Sequence, residues 1–216
     1  MPPEERLIAR FVAEPPQEGT PSGRWAETLR AEFLGACLEL PQTTEDGETI
    51  GEVGDLAFHP DRTWSGRTYI PITARTSGGL DVFGFVSFTP PDPDAEEEAD
   101  REPSDFVIRV DYTDEVADEH PEWKLDLCDE VVGGWRGEHG RVAAMTLVWG
   151  RTLINGGVVA TAELAGLAVD QCTIASDRFT LLAPDAYKSD YLEIHLWDKA
   201  GRELARESLY EDDDEA

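Results

Sequence analysis

The sequence predicts a mainly β, α+β fold: an N-terminal amphipathic helix packed on an antiparallel β-sandwich or barrel. Three observations carry that reading. One apolar stripe recurs at helical spacing, and after Pro41 the apolar pattern changes to period two. Glycine, proline and Asx clusters then punctuate eight to ten short apolar runs. The chain has 216 residues, 40% of them hydrophobic, with six tryptophans. A domain of that size buries roughly 70% of its unfolded surface, so no disulfide staple is needed.

The helix is expected in RWAETLRAEFLGACLEL, where Trp25, Leu29, Phe33 and Cys37 fall every four residues beside Leu34 and Leu38. Thr20 or Ser22 is placed to cap it, and Pro41 to stop it. DFVIRVDY sets Phe106, Ile108, Val110 and Tyr112 on one strand face against Arg109 and Asp111. YLEIHLWD turns Leu192, Ile194 and Leu196 inward and Glu193, His195 and Trp197 outward. RTYIPIT, LDVFGFVSF, WKLDL, RVAAMTLVW, GVVATAELAGLAV and QCTIASDRFTLLA are the further strands, and WDKAGRE is the turn of a last hairpin. Pro71 marks its strand as an edge. The glycines of CDEVVGGWRGEHGR are expected to serve turns.

The domain reading is a helical segment, 1–41, on a β region, 42–210, followed by an acidic tail, 211–216. GRTYI at 66–70 matches GRTLI at 150–154, and SDFVIRV at 104–110 resembles SDYLEIHL at 189–196. The near-equal offsets suggest two related halves, 42–125 and 126–210, with an acidic loop at 90–105 present in the first alone.

A formal charge of −28 is the loudest feature, and it is local: residues 91–130 carry −14 and residues 211–216 carry −5. Nucleic acid and anionic membrane surfaces demand a basic face, so neither is expected as a partner. A basic protein is. The partner-binding candidates are Asp92, Asp94, Glu96, Glu97, Glu98 and Asp100. The opposing account of such a run is a solvated loop whose like charges keep it extended. Three lysines against fifteen arginines also fit a salt-adapted proteome, although the patchiness of the charge argues against it.

Three widely spaced cysteines, no basic N-terminal leader and no apolar run near 20 residues point to the cytoplasm. No nucleophile elbow, phosphate loop, HExxH or dinucleotide motif is present, and no cofactor is expected. Asp111, Asp114, Asp118 and His120 form the one oxygen-rich group that suggests a cation, with calcium the apt ion. His120, Cys128 and His139 lack the local spacing of a zinc site. Trp197 and His195, sharing an outward face, are the small-ligand candidates.

The function expected is therefore a non-enzymatic cytoplasmic binding protein with a basic protein partner. The alternatives are a carbohydrate- or small-molecule-binding β-sandwich, calcium-assisted at 111–120, and a hydrolase. The hydrolase would pair His59 with Asp55 or Asp61, or His120 with Asp118.

Overall fold

The computed structural model describes residues 19–44, 46–92, 94, 102–136, 142–186 and 190–210. Most of these residues lie in antiparallel strands, and no sheet among them closes into a barrel. The chain divides into two compact units between Trp123 and Lys124.

The first unit holds the helix α1 (Gly23–Cys37) and the strands β1 (Ala57–Phe58), β2 (Arg62–Trp64), β3 (Arg67–Arg75), β4 (Asp81–Thr89) and β5 (Ser104–Thr113). Strand order is β1–β3–β4–β5, with β2 pairing β3 beside β1. The helix stripe lies where its spacing placed it, with Leu29 and Phe33 fully buried among Ile70, Ile72, Val82 and Val86, except at Leu38, which is the C-cap residue beyond the last helical turn and is exposed. Trp25 meets Phe88 edge-on at 5.1 Å and tilts against Phe106 at 6.1 Å. Phe106, Ile108, Val110 and Tyr112 form the inward face of β5, as the alternation predicts. Ser22 is the N-cap residue but makes no side-chain cap bond, and the helix ends at Cys37, four residues short of Pro41.

Pro71 does not make β3 an edge. β3 is paired on both sides, and the neighbouring chain yields instead. The Pro71 carbonyl accepts the His59 amide at 2.9 Å on the β1 side. In a strand a residue's N–H and C=O point the same way, so the donor that proline lacks also faces that side. There the ladder breaks: β1 pairs Thr73 and Ile72, β2 pairs Tyr69, Thr68 and Arg67, and His59–Asp61 runs between them unladdered. A proline is tolerated inside the sheet because its neighbour is two fragments.

The second unit contains β6 (Leu125–Arg136), β7 (Val142–Thr152), β8 (Val159–Leu164), β9 (Leu167–Thr173), β10 (Arg178–Asp185), β11 (Leu192–Trp197) and β12 (Glu203–Ser208). They form two sheets, β10–β7–β6 and β12–β11–β8–β9. One apolar layer joins them as a sandwich: Val148, Phe179, Leu181 and Ala183 from the first, Ala160, Leu164, Leu192, Ile194 and Leu196 from the second. GVVATAELAGLAV, read as one strand, is the hairpin β8–β9. Its turn residues Ala165 and Gly166 adopt φ of 53° and 71°, and two left-handed residues suit a two-residue hairpin. QCTIASDRFTLLA likewise divides at Ser176–Asp177, with φ of 49° and 65°, and there the chain leaves one sheet for the other. Gly133 and Gly134 serve no turn; they lie inside β6 beside a register shift that admits an extra residue.

The acidic segment joins β4 to β5, which pair as far as Thr89 and Ser104. The matched segments GRTYI and GRTLI differ in setting: the first enters β3 from a turn, while the second runs off the end of β7. No helix among the described residues is long and apolar enough to cross a membrane.

Candidate functional site

The densest polar constellation among the described residues lies on the outer face of β8, β11 and β12. Alternation along β11 sends Leu192, Ile194 and Leu196 wholly into the core and puts Glu193, His195 and Trp197 on the opposite face. Register then supplies the neighbours. His195 lies opposite Thr161 of β8 and Arg206 of β12, Glu193 opposite Glu163, and Trp197 opposite Glu203. The last pairing follows a bulge between Leu196 and Trp197 that re-aims the end of β11.

His195, only 3% exposed, is the centre. Its Nδ1 stands 2.9 Å from Glu203 Oε2, and since a carboxylate accepts only, Nδ1 carries the proton and donates. Nε2 is buried and makes no hydrogen bond. It faces Glu163 Oε2 at 3.7 Å and Glu193 Oε2 at 3.9 Å, both beyond hydrogen-bond length. Arg206 Nη2 donates to Glu193 Oε2 at 2.6 Å, an ion pair that raises the arginine's already high pKa. The Trp197 ring stacks beside the imidazole, centroids 5.9 Å apart and planes 7° from parallel. Its Nε1–H donates to Thr161 Oγ1 at 2.8 Å, and Thr161 donates in turn to Glu163 Oε1 at 3.3 Å. The network therefore fixes Trp197, His195 and Glu163 against one another.

Trp197 and His195 were the two small-ligand candidates, and the structure brings them together. It corrects their exposure: His195 is buried and Trp197 half-buried, because the glutamates and Arg206 crowd the same face. Glu163, Glu203, Arg206 and Thr161 were missed. Reading β8–β9 as one strand hid the face of Glu163, and the bulge shifts Glu203 by one place relative to an unbroken hairpin.

The oxygen-rich group at 111–120 is not gathered. Among the described residues no set of three ligating side chains is placed to hold a metal ion. Asp111 lies on the exposed face of β5. Only Ala117–Glu119 forms a helical turn, anchored by buried Val116 and Ala117, so Asp114 stays outside it and shares no helical face with Asp118. His120 is occupied elsewhere, stacked on Trp123 at 4.2 Å with its Nδ1 3.2 Å from Glu122 Oε1. Glu122 is held below the usual carboxylate range, first by its own amide and then by His120. Cys128 lies in β6, and His139 is outside the described residues.

Of the partner-binding candidates, Asp92 and Asp94 are exposed, with the Asp94 amide donating to Asp92 Oδ1 at 2.9 Å. Glu96, Glu97, Glu98 and Asp100 lie outside the described residues. His59 is buried, its Nε2 3.1 Å from Thr73 Oγ1. The Asp61 carboxyl is pushed up to about 6, chiefly by burial, with its own amide, that of Gly19 and Arg62 pulling back. Burial likewise pushes the Cys37 thiol up to about 11.

A second buried acid is fully satisfied. Asp185 accepts from the Ala186 and Leu192 amides and from Tyr210 Oη at 2.7, 2.9 and 2.6 Å, pinning the end of β10 to the start of β11. That arrangement is structural. No protein-family model matches the chain, and neither a curated protein nor a solved structure matches it.

Proposed function

We propose that this is a non-enzymatic binding protein whose partner is a basic protein segment. One observation carries the reading: the carboxylates along and after β5 are exposed and unmatched. Glu102, Asp105, Asp111, Asp114, Glu115, Asp118 and Glu119 all face solvent, with Arg109 the one exposed cation in that stretch. Among the described residues none of the seven forms an ion pair, whereas Asp81, Asp126, Asp198 and Glu193 each hold an arginine. Arg67 reaches this strand but donates to the main-chain carbonyl of Asp105. Asp92 and Asp94 continue the same charge ahead of β5, and Glu96, Glu97, Glu98 and Asp100 belong to it by sequence. Unmatched carboxylates on one surface draw a cationic partner from a distance and raise its association rate.

The test titrates a labelled lysine- and arginine-rich peptide into the full chain. Its counterpart carries D111N, D114N, E115Q, D118N and E119Q. Wild type binds at about 0.1 M salt, where screening decays over ~10 Å, and releases the peptide near 1 M, where it decays over ~3 Å. The neutralised chain binds several-fold more weakly. No binding at the lower salt, or equal binding by both chains, overturns the reading.

The stacked Trp197 and His195, held beside three glutamates, favour a second reading in which the sandwich takes a small ligand. A ligand that binds the native state raises the melting temperature by mass action, so a panel of sugars and amines read by thermal shift examines it.

A further inference from the structure

Three acceptors converge on the outer face of β11, and of these Glu193 Oε2 alone receives a donor, from Arg206. Glu203 holds the Nδ1–H of His195, and in the neutral ring that leaves a lone pair at Nε2. That lone pair, buried and without a hydrogen bond, faces a carboxylate oxygen of Glu163 and one of Glu193. Register makes the arrangement worse: Glu163 and Glu193 are directly opposite each other on adjacent strands, where like charges destabilise a sheet. Three glutamates share this face with one arginine, and Arg206 bonds Glu193 alone. Among the described residues no cation bridges Nε2 to the two carboxylates.

We infer that the Glu163–Glu193–His195 triangle binds a primary ammonium group, the side chain of a lysine in the basic partner. The inference rests on the reading that the partner is basic, and adds to it the anchor residue. Tetrahedral zinc, with bonds of ~2.0–2.1 Å, holds its donors ~3.4 Å apart. The acceptors here stand 3.7 and 3.9 Å from Nε2, and no metal-holding set is present among the described residues. An ammonium offers three N–H donors, one to each acceptor, at ~2.8 Å. A guanidinium is a planar fork suited to both oxygens of one carboxylate, and matches a triangle that includes a ring nitrogen poorly. Trp197, stacked alongside His195, offers its ring to the methylene stem and to the charge.

Arg206 is the resident competitor. Its guanidinium is about half exposed and Glu193 about one-third, so their pair is a surface ion pair that gives way readily. The incoming ammonium takes over the charge of Glu193 as Arg206 swings to solvent.

The test follows the Trp197 indole N–H and the His195 ring protons by NMR in the full chain. The probes are Nα-acetyl-lysine amide and the same compound acetylated on Nε. The free amine should shift both sets of signals saturably, and the Nε-acetylated compound should shift neither. Loss of one charge-assisted bond in E163Q or E193Q should weaken the amine about tenfold or more. R206M should bind it more tightly, an effect that a merely structural role for Arg206 would not produce. Equal shifts from both compounds, or none from either, overturn the inference, and that comparison needs no variant. A lysine-rich peptide that binds wild type, E163Q and E193Q alike also overturns it while leaving the basic-partner reading standing. A peptide that fails to bind removes that reading, and the anchor role with it.

Discussion

The molecule carries its acid in two ways. Along β5 and the turn that follows, carboxylates are spread over an exposed face without cationic partners. On the β8–β11–β12 face they are few, with Glu163 and Glu193 half-buried and Glu203 exposed, and they are locked to a histidine, a threonine and an arginine. The first arrangement makes a field that salt screens within about 8–10 Å. The second makes a site, because burial weakens screening and fixed partners set distances. On the proposed reading, attraction and recognition fall to different strands of one chain.

The largest effect that sharpens this contrast lies beneath the two faces. Leu196→Ala, fully buried under the His195 face, should cost about 2–5 kcal/mol. Ile108→Ala, half-buried under the acidic face of β5, should cost less than half of that; chemical denaturation compares them. Equal costs would mean that the two faces rest on equally rigid supports.

Asp61 gives an intermediate effect. Its folded-state pKa is raised to about 6, so the native state holds a proton that the unfolded chain has released between about pH 4 and 6. Stability attributable to this group therefore falls as pH rises through that window and is flat above it. Asp61→Asn should leave stability unchanged at pH 4 and raise it by up to about 1 kcal/mol at pH 7, a figure discounted for partial exposure. A variant less stable than wild type at pH 7 would show that the ionised carboxylate is needed.

The smallest effect belongs to the dispersed acid. Neutralising Asp111, Asp114 and Asp118 together should change stability by no more than about 0.5 kcal/mol at low salt and not measurably at 1 M. A larger change that persists in salt would make those residues part of the framework.

Much of the architecture was legible because it follows from period alone. The helix stripe and the inward faces of β5 and β11 are set by 3.6- and 2-residue repeats that burial enforces. What period does not encode was missed. Ala165 and Ser176 occupy left-handed turn positions without being glycine, so a hairpin and a crossing between sheets each looked continuous. Pro71 was judged by its own strand, while the accommodation lies in His59–Asp61 next door. The site was half legible. Trp197 and His195 share a strand and a face, but Glu163 and Glu203 reach them through cross-strand register and a bulge, which neighbouring residues in sequence do not announce.

The two sides of the first sheet are guarded by different means. On the β1/β2 side the ladder is cut into fragments of two and three residues, a geometric barrier that no change of solvent removes. On the other side β5 runs unbroken for ten residues, and among the described residues it pairs with β4 alone. There the guard is charge. As acidification approaches the isoelectric point near 4.2, the carboxylates neutralise and that guard goes. Self-association of the first sheet in mild acid should then begin by strand addition along β5.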